Sequence, residues 1–278
     1  MKSRRFAQVD VFTDVALRGN ALAVVVDAEG LSDAQMQALA CWTQLSETTF
    51  LLPPSDPAAD YRLRIFTPAG ELPFAGHPTL GSAHVWLSHG GVPRRADELV
   101  QQCGIGLVRV RRDGERLAFA APPLRRSGPV DAALREQVAR SLRLAEQDLL
   151  DVVWVANGPP WVGARLRSAA AVLALQPDYL AMQGIELGVV GAYPEGGPAQ
   201  FEVRAFVPGQ PQPEDPVTGS LNAGLAQWMM GAGLAPAAYL VSQGTALQRA
   251  GRVHVRRQGD DIWIGGDVTS LIQGQIGL

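Results

Sequence analysis

The chain has 278 residues, room for one large domain or two of ordinary size. With 47% hydrophobic and 18% charged residues it can bury a substantial core, and a net charge of −3 without a long basic run argues against a nucleic-acid partner. Its strongest apolar runs, Ala21–Val26 and Val152–Ala156, are far too short for a membrane span, and no apolar stretch follows the basic start, so a cytoplasmic protein is expected.

Gln8–Phe12 alternates in the manner of a strand, as does Ala21–Val26 after the Gly19-Asn20 turn. Ser32 opens a helix, with Gln35 as its capping-box partner and Met36, Leu39, Ala40 and Thr43 on one face. Leu45–Leu52 reads as a strand, and Tyr61–Phe66 alternates again. Pro68, Gly70 and Pro73 break the pattern before a helix from His77 to about Leu87. Arg94–Phe119 reads as strands joined by a turn at Asp113-Gly114.

Pro122–Pro129 is the best candidate linker. Beyond it Asp131 caps a helix with Leu134, Val138 and Leu142 on its apolar face. Val152–Val155 and Phe201–Phe206 are strand-like. Pro208, Pro211 and Pro213 then interrupt the chain before a helix that begins near Asp215. Two domains follow from this punctuation, 1–122 and 123–265, with the strand at about 266–278 free to return to the first.

The text around the two proline-rich breaks repeats. Phe66-Thr67-Pro68 precedes His77-Pro78-Thr79-Leu80-Gly81-Ser82, and Phe206-Val207-Pro208 precedes Asp215-Pro216-Val217-Thr218-Gly219-Ser220. Setting His77 on Asp215, at an offset of 138, also matches Pro78 with Pro216, Gly81 with Gly219 and Ser82 with Ser220. This reads as an internal duplication, with one proline-opened helix per half facing a shared cleft.

Such a helix start offers unpaired N–H groups and a partial positive charge, suited to a carboxylate or an enolate-like oxygen. His77 and Asp215 at those starts suit proton transfer at carbon. Each has a plainer reading: Asp215 as an N-cap, His77 as a satisfied imidazole, and Thr218-Gly219-Ser220 as an ordinary first turn. Glu47, at a helix-to-strand junction among apolar and β-branched residues, is a third candidate if desolvated, with Glu71 and Glu214 as rivals for the acid's role. His84 reads as a packing or surface residue, His89 as an exposed loop residue and His254 as a strand residue.

Familiar cofactor signals are missing. Lys2 is the only lysine, and no G-K-[ST], strand-linked G-x-G-x-x-G, H-E-x-x-H or G-x-S-x-G occurs. Cys41 reads as a core thiol, and with Cys103 alone it forms neither a disulfide framework nor a zinc site. The expectation is no cofactor, no metal, and chemistry by side chains alone.

Arg18-Gly19-Asn20, Leu45–Phe50, Phe66-Thr67-Pro68, Glu71–Pro78, Asn157-Gly158-Pro159, Glu214–Ser220 and Gln243-Gly244 together resemble the phenazine-biosynthesis PhzF-like isomerase family over nearly the whole chain. The resemblance implies an α+β fold similar to diaminopimelate epimerase: two lobes, each a curled sheet or barrel around a central helix, with the active site between them. It implies that Glu47 shuttles a proton, His77 and Asp215 assist, and Ser46, Gly76, Gly219 and Ser220 bind a small, possibly cyclic and unsaturated, carboxylic acid. It also implies a homodimer.

The epimerase has a cysteine pair at its helix starts, whereas His77 and Asp215 stand there in this chain, which disfavours thiol racemisation. Leu221-Asn222, Ala21 and Gln248-Arg249-Ala250 depart from the family's usual residues, so the phenazine substrate is not assumed. An epimerase or racemase of an amino-acid-like substrate and a silent anion-binding protein are the competing readings.

Overall fold

A computed structural model describes residues Met1–Leu278. The chain divides into two compact units: Met1–Ala120 with Gly265–Leu278, and Ala121–Ile264.

In chain order the first unit contains β1 (Ser3–Val11), β2 (Asn20–Val25), α1 (Asp33–Thr43), β3 (Glu47–Leu52), β4 (Tyr61–Thr67), β5 (Gly70–Leu72), α2 (Gly76–Ser88), β6 (Glu98–Cys103), β7 (Gly106–Asp113) and β8 (Arg116–Ala120). The second contains β9 (Arg126–Pro129), α3 (Ala132–Leu142), β10 (Asp151–Ala156), β11 (Trp161–Arg165), α4 (Ala169–Leu173), β12 (Glu186–Ala192), β13 (Phe201–Phe206), β14 (Glu214–Asp215), α5 (Gly219–Gly231), β15 (Ala238–Gln243), β16 (Gly251–Gln258) and most of β17 (Asp261–Gly266). The last strand, β18 (Val268–Gly277), returns to the first unit and pairs antiparallel with β1.

The pairing repeats element by element. In unit 1, β1–β2 is antiparallel, β2–β3 parallel, β3–β4 and β4–β5 antiparallel, β4–β6 parallel and β6–β7 antiparallel. In unit 2, β10–β11 is antiparallel, β11–β12 parallel, β12–β13 and β13–β14 antiparallel, β13–β15 parallel and β15–β16 antiparallel. Each sheet has helices on both faces. In unit 1, α2 packs inside against β1, β2, β3, β4, β6 and β8, while α1 lies on β3 and β4. In unit 2, α5 packs against β10, β11 and β16, while α4 lies on β12 and β13.

Register carries the duplication down to side chains. Phe66 faces Thr48 and Glu71 across the strands, and Phe206 faces Leu187 and Glu214. Arg64 meets Glu71 through Nε and a terminal nitrogen at 2.7 and 2.6 Å; Arg204 meets Glu214 in the same way at 2.8 and 2.7 Å. Each guanidinium also lies 5.0 Å from the ring centroid of its phenylalanine. The repeated unit is therefore Arg-x-Phe followed by a glutamate on the short strand.

Local chemistry sets the helix boundaries. Ser32 and Gln35 form the reciprocal capping box, and Asp131 accepts from the Leu134 amide at 2.8 Å. Three expectations need correction. Arg126–Pro129, within the expected linker, forms β9 and pairs antiparallel with β10. Cys41 is exposed, with its Sγ 3.1 Å from the Pro68 carbonyl oxygen, because it falls on the solvent side of α1. The later helix opens at Gly219 instead of near Asp215. Asp215 precedes Pro216, whose ring disfavours helical backbone in the residue before it; Asp215 stays in β14 and Thr218 takes the N-cap. The helix starts Gly76 and Gly219 are thus 143 positions apart, and the structural partner of His77 is Ser220.

The Arg–Glu pairs differ in burial. Arg204 and Glu214 side chains are each 6% exposed, whereas Arg64 and Glu71 are 15% and 42% exposed. Glu214→Leu strands a buried guanidinium and should cost about 3–5 kcal/mol. Glu71→Leu should cost about 1 kcal/mol or less, since water reaches its partner. Urea unfolding of both variants measures the difference; equal costs would contradict this account of the pair.

Candidate active site

The site residues of unit 1 gather where β3 begins and α2 begins. Glu47 is the first residue of β3, next to half-buried Ser46, and Leu22 of β2 is its parallel-register partner. Alternation sends Thr48 towards α1, where its hydroxyl meets that of Thr43 at 2.8 Å. Glu47 and Thr49 therefore point the other way: Thr49 Oγ1 is 2.9 Å from Ser82 Oγ on α2, and Glu47 Oε2 is 3.4 Å from His77 Nε2.

His77 is 2% exposed and sits in the first turn of α2. Asn20, also buried, donates its side-chain N–H to His77 Nδ1 at 3.3 Å, which leaves the ring proton on Nε2, beside Glu47. Burial pushes the imidazole down to about 3 from its ordinary 6.5. The nearby carboxylate favours the charged ring, but in this dry position desolvation prevails. His77 is a neutral donor at neutral pH. Glu47 itself retains 13% side-chain exposure.

Gly76 is the first residue of α2, and neither α2 nor α5 has a side-chain cap. By contrast α1, α3 and α4 are capped by Ser32, Asp131 and Ser168. The first-turn N–H groups of the two inner helices have no intrahelical acceptor and no side-chain cap.

In unit 2, Gly219 and Ser220 open α5. Trp161 donates its indole N–H to Ser220 Oγ at 3.0 Å, and Asn157 donates to the Ser220 carbonyl at 2.8 Å. With its oxygen so engaged, the Ser220 hydroxyl keeps its proton for an acceptor. Asp215 lies before the helix, half-buried, and accepts from Thr218 Oγ1 at 2.5 Å. Gln243 holds this turn. Its amide nitrogen donates to Thr218 Oγ1 and the Asp215 carbonyl at 3.0 and 3.2 Å, while its oxygen accepts from the Thr218 amide and Asn222 at 3.1 and 2.8 Å. Asp215 is thus oriented by the cap without being the cap.

The competing glutamates Glu71 and Glu214 are both engaged by arginine, as described above, which leaves Glu47 as the acid at the mouth of α2. His84 meets Ser270 Oγ at 2.8 Å, His89 ends α2, and His254 lies in β16. Sequence reasoning quoted Asn20, Asn157 and Gln243 only as motif letters and passed over Trp161, whose one signal was an indole following Pro159-Pro160. No group of three or more His, Cys, Asp or Glu side chains is arranged to hold a metal ion, and no helix is long and apolar enough to cross a membrane.

Comparison with known proteins places the chain. The phenazine biosynthesis-like (PhzC-PhzF) family model matches residues 9–274. The chain belongs to that family. It is 34% identical to antisense-enhancing sequence 1 of Schizosaccharomyces pombe, over 99% of each chain. It is also 34% identical to the trans-2,3-dihydro-3-hydroxyanthranilate isomerase of Pseudomonas chlororaphis, over 78% of this chain and 77% of that one. A PhzF-family protein of Enterococcus faecalis superposes with a TM-score of 0.81 at 24% identity, with both chains fully covered. The chain is accordingly an isomerase-type enzyme with the epimerase-like α+β fold expected from the motifs.

The neutral state of His77 has a measurable consequence. Its pKa is depressed from 6.5 to about 3 on folding, so the unfolded chain binds the extra proton between those values. Stability from this group is present above pH 6.5 and is lost as pH falls towards 3. Compared with His77→Gln, the wild type should lose up to about 1.4 kcal/mol more per pH unit across that window. Parallel stability–pH curves for the two proteins would show that folding leaves the ring's pKa unshifted and would overturn the neutral assignment.

Proposed function

We propose that the protein moves a proton between two carbons of a small, unsaturated carboxylic acid, without a cofactor, using Glu47 as the single acid/base. The observation that carries the reading is the Glu47–His77 arrangement: a carboxylate against the N–H of an imidazole kept neutral by burial. A neutral imidazole does not compete for the proton, and its Nε2, 3.4 Å from Glu47 Oε2, is near enough to support the carboxylate form. Glu47 as carboxylate takes a proton from one carbon. The electron pair spreads into the unsaturated system, and the carboxylic acid form of Glu47 returns the proton to another carbon. Bonds and charge balance with no external reductant or base.

The substrate's negative charge is assigned to the N–H groups of Gly76 and His77 in the first turn of α2, with Ser46 beside them. Asp215, set by Thr218 and Gln243, and the donors of Gly219 and Ser220 are assigned to its other polar groups. Support comes from the uncapped inner helices and from relatives named as isomerases, one acting on trans-2,3-dihydro-3-hydroxyanthranilate. Residence in the cytoplasm and a homodimer belong to the same proposal.

A set of small unsaturated acids incubated in heavy water and read by mass spectrometry tests it. Wild type should incorporate deuterium into at least one acid. Glu47→Gln should reduce that exchange by at least about 10²-fold while holding the acid within about tenfold of wild-type affinity, about 1.4 kcal/mol. Exchange at the wild-type rate in Glu47→Gln would remove Glu47 from the mechanism. Asp215→Asn should lower exchange with little change in melting temperature, because Asp215 lies before α5 and does not cap it.

A further inference from the structure

The duplicated register places a second glutamate where Glu47 has its counterpart. Phe66 faces Thr48 across β3–β4, and Phe206 faces Leu187 across β12–β13. The residue before each opens its strand: Glu47 in unit 1 and Glu186 in unit 2. Both also have a parallel partner, Leu22 for Glu47 and Trp161 for Glu186.

Two independent observations fix the face of Glu186. Leu187 and Val189 lie in the apolar cluster with Val138 of α3 and Val172 of α4, so alternation turns Glu186 and Gly188 towards α5. A side-chain carbon on Gly188 would stand 2.3 Å from Leu221 in the first turn of α5. Trp161, beside Glu186 in register, sends its indole to Ser220 in that same turn. Glu186 is thus at the mouth of α5 as Glu47 is at the mouth of α2. The resemblance ends there, because α5 has Ser220 where α2 has His77, and the Glu186 carboxyl makes no hydrogen bond or ion pair with the protein. It is half-buried, and that burial raises its pKa.

A partly buried carboxyl without a partner is costly to keep. Glu186 and Asp215 both belong to unit 2's helix mouth, and neither welcomes a carboxylate. A group that donates a hydrogen bond, amino or hydroxyl, satisfies them.

We propose that Glu186 is a specificity-determining residue that accepts a hydrogen bond from an amino or hydroxyl group of the substrate. The proposal rests on the acid/base isomerase reading and narrows its substrate class: a small unsaturated acid that carries a hydrogen-bond donor.

The test uses matched pairs of cyclohexadiene carboxylic acids with and without an amino or hydroxyl substituent, among them trans-2,3-dihydro-3-hydroxyanthranilate. Deuterium exchange in heavy water is read as kcat/KM. Wild type should favour the donor-bearing member of a pair by at least about tenfold. In Glu186→Leu that ratio should collapse towards one, and in Glu186→Gln, which keeps an accepting oxygen, it should recover in part. A merely structural role would lower both members of a pair together and leave the ratio intact, which overturns the proposal. So does a wild type without any preference. Exchange that survives Glu47→Gln overturns the underlying reading instead, and absence of exchange with every acid overturns both.

Discussion

Everything in each unit follows from enclosing a helix within a sheet. α2 and α5 are apolar on nearly every side, so they cannot lie on a surface; strands must pass close to them all round. The approach is too close for ordinary side chains. A methyl on Gly81 would stand 2.6 Å from Leu22 and 2.9 Å from Val11, and one on Gly224 would stand 2.2 Å from the Val155 carbonyl oxygen. Small residues in the second turn let the strands in. The price of that enclosure falls at the helix start, where buried N–H groups lack intrahelical partners and no side chain caps them. A substrate anion is the partner such a start can accept, so the packing rule and the proposed chemistry share one origin.

Duplication then separates frame from function. The frame is retained in detail: the strand pairings, the phenylalanine registers and the bidentate Arg–Glu pairs recur in both units. These contacts hold the short strand that delivers the chain to the inner helix, and both copies need it. The mouths diverge. Leu22 becomes Trp161 and His77 becomes Ser220; in one unit Asn20 meets the imidazole ring, and in the other the Trp161 indole meets the Ser220 hydroxyl. The glutamate opening the third strand of each repeat is unchanged, as is the glycine that opens each inner helix. One copy has a neutral imidazole against it and the other has none, so two identical side chains at equivalent positions carry different electrostatics.

Much of this was legible in the sequence. Periodicity and caps located α1 and α3, because Ser32 and Asp131 report their own backbone. The repeat was visible through Phe-x-Pro and Gly-Ser, and the family motifs brought Glu47, His77 and Asp215 to attention. The alignment of the two helix starts was not legible at the residue level. Matching proline with proline assumes that each performs the same task, but Pro78 is the third residue of α2 and Pro216 lies before α5. Proline is tolerated in a first turn because its missing N–H has no partner to lose, and outside the helix it holds the preceding residue extended. The same letters therefore mark two different local structures. Cys41 failed for a related reason: apolar neighbours in sequence do not fix which side of a helix faces water.

The pairing of an acid with an unprotonated histidine follows from that same enclosure. An imidazole near water and beside a carboxylate would be expected to gain a proton, and the resulting ion pair would hold the carboxylate in its least basic state. Within the wall of a curled sheet the charged ring loses more solvation than one carboxylate returns, so the ring stays neutral and offers only its Nε2 proton. Glu47 Oε2 then faces an uncharged ring 3.4 Å away, the arrangement on which the proposed proton transfer rests. Asn20 completes the arrangement from β2 by occupying the other ring nitrogen, which fixes the tautomer. A more exposed His77 would weaken the base it is there to orient, so the depth of the helix start within the sheet is itself part of the proposed chemistry.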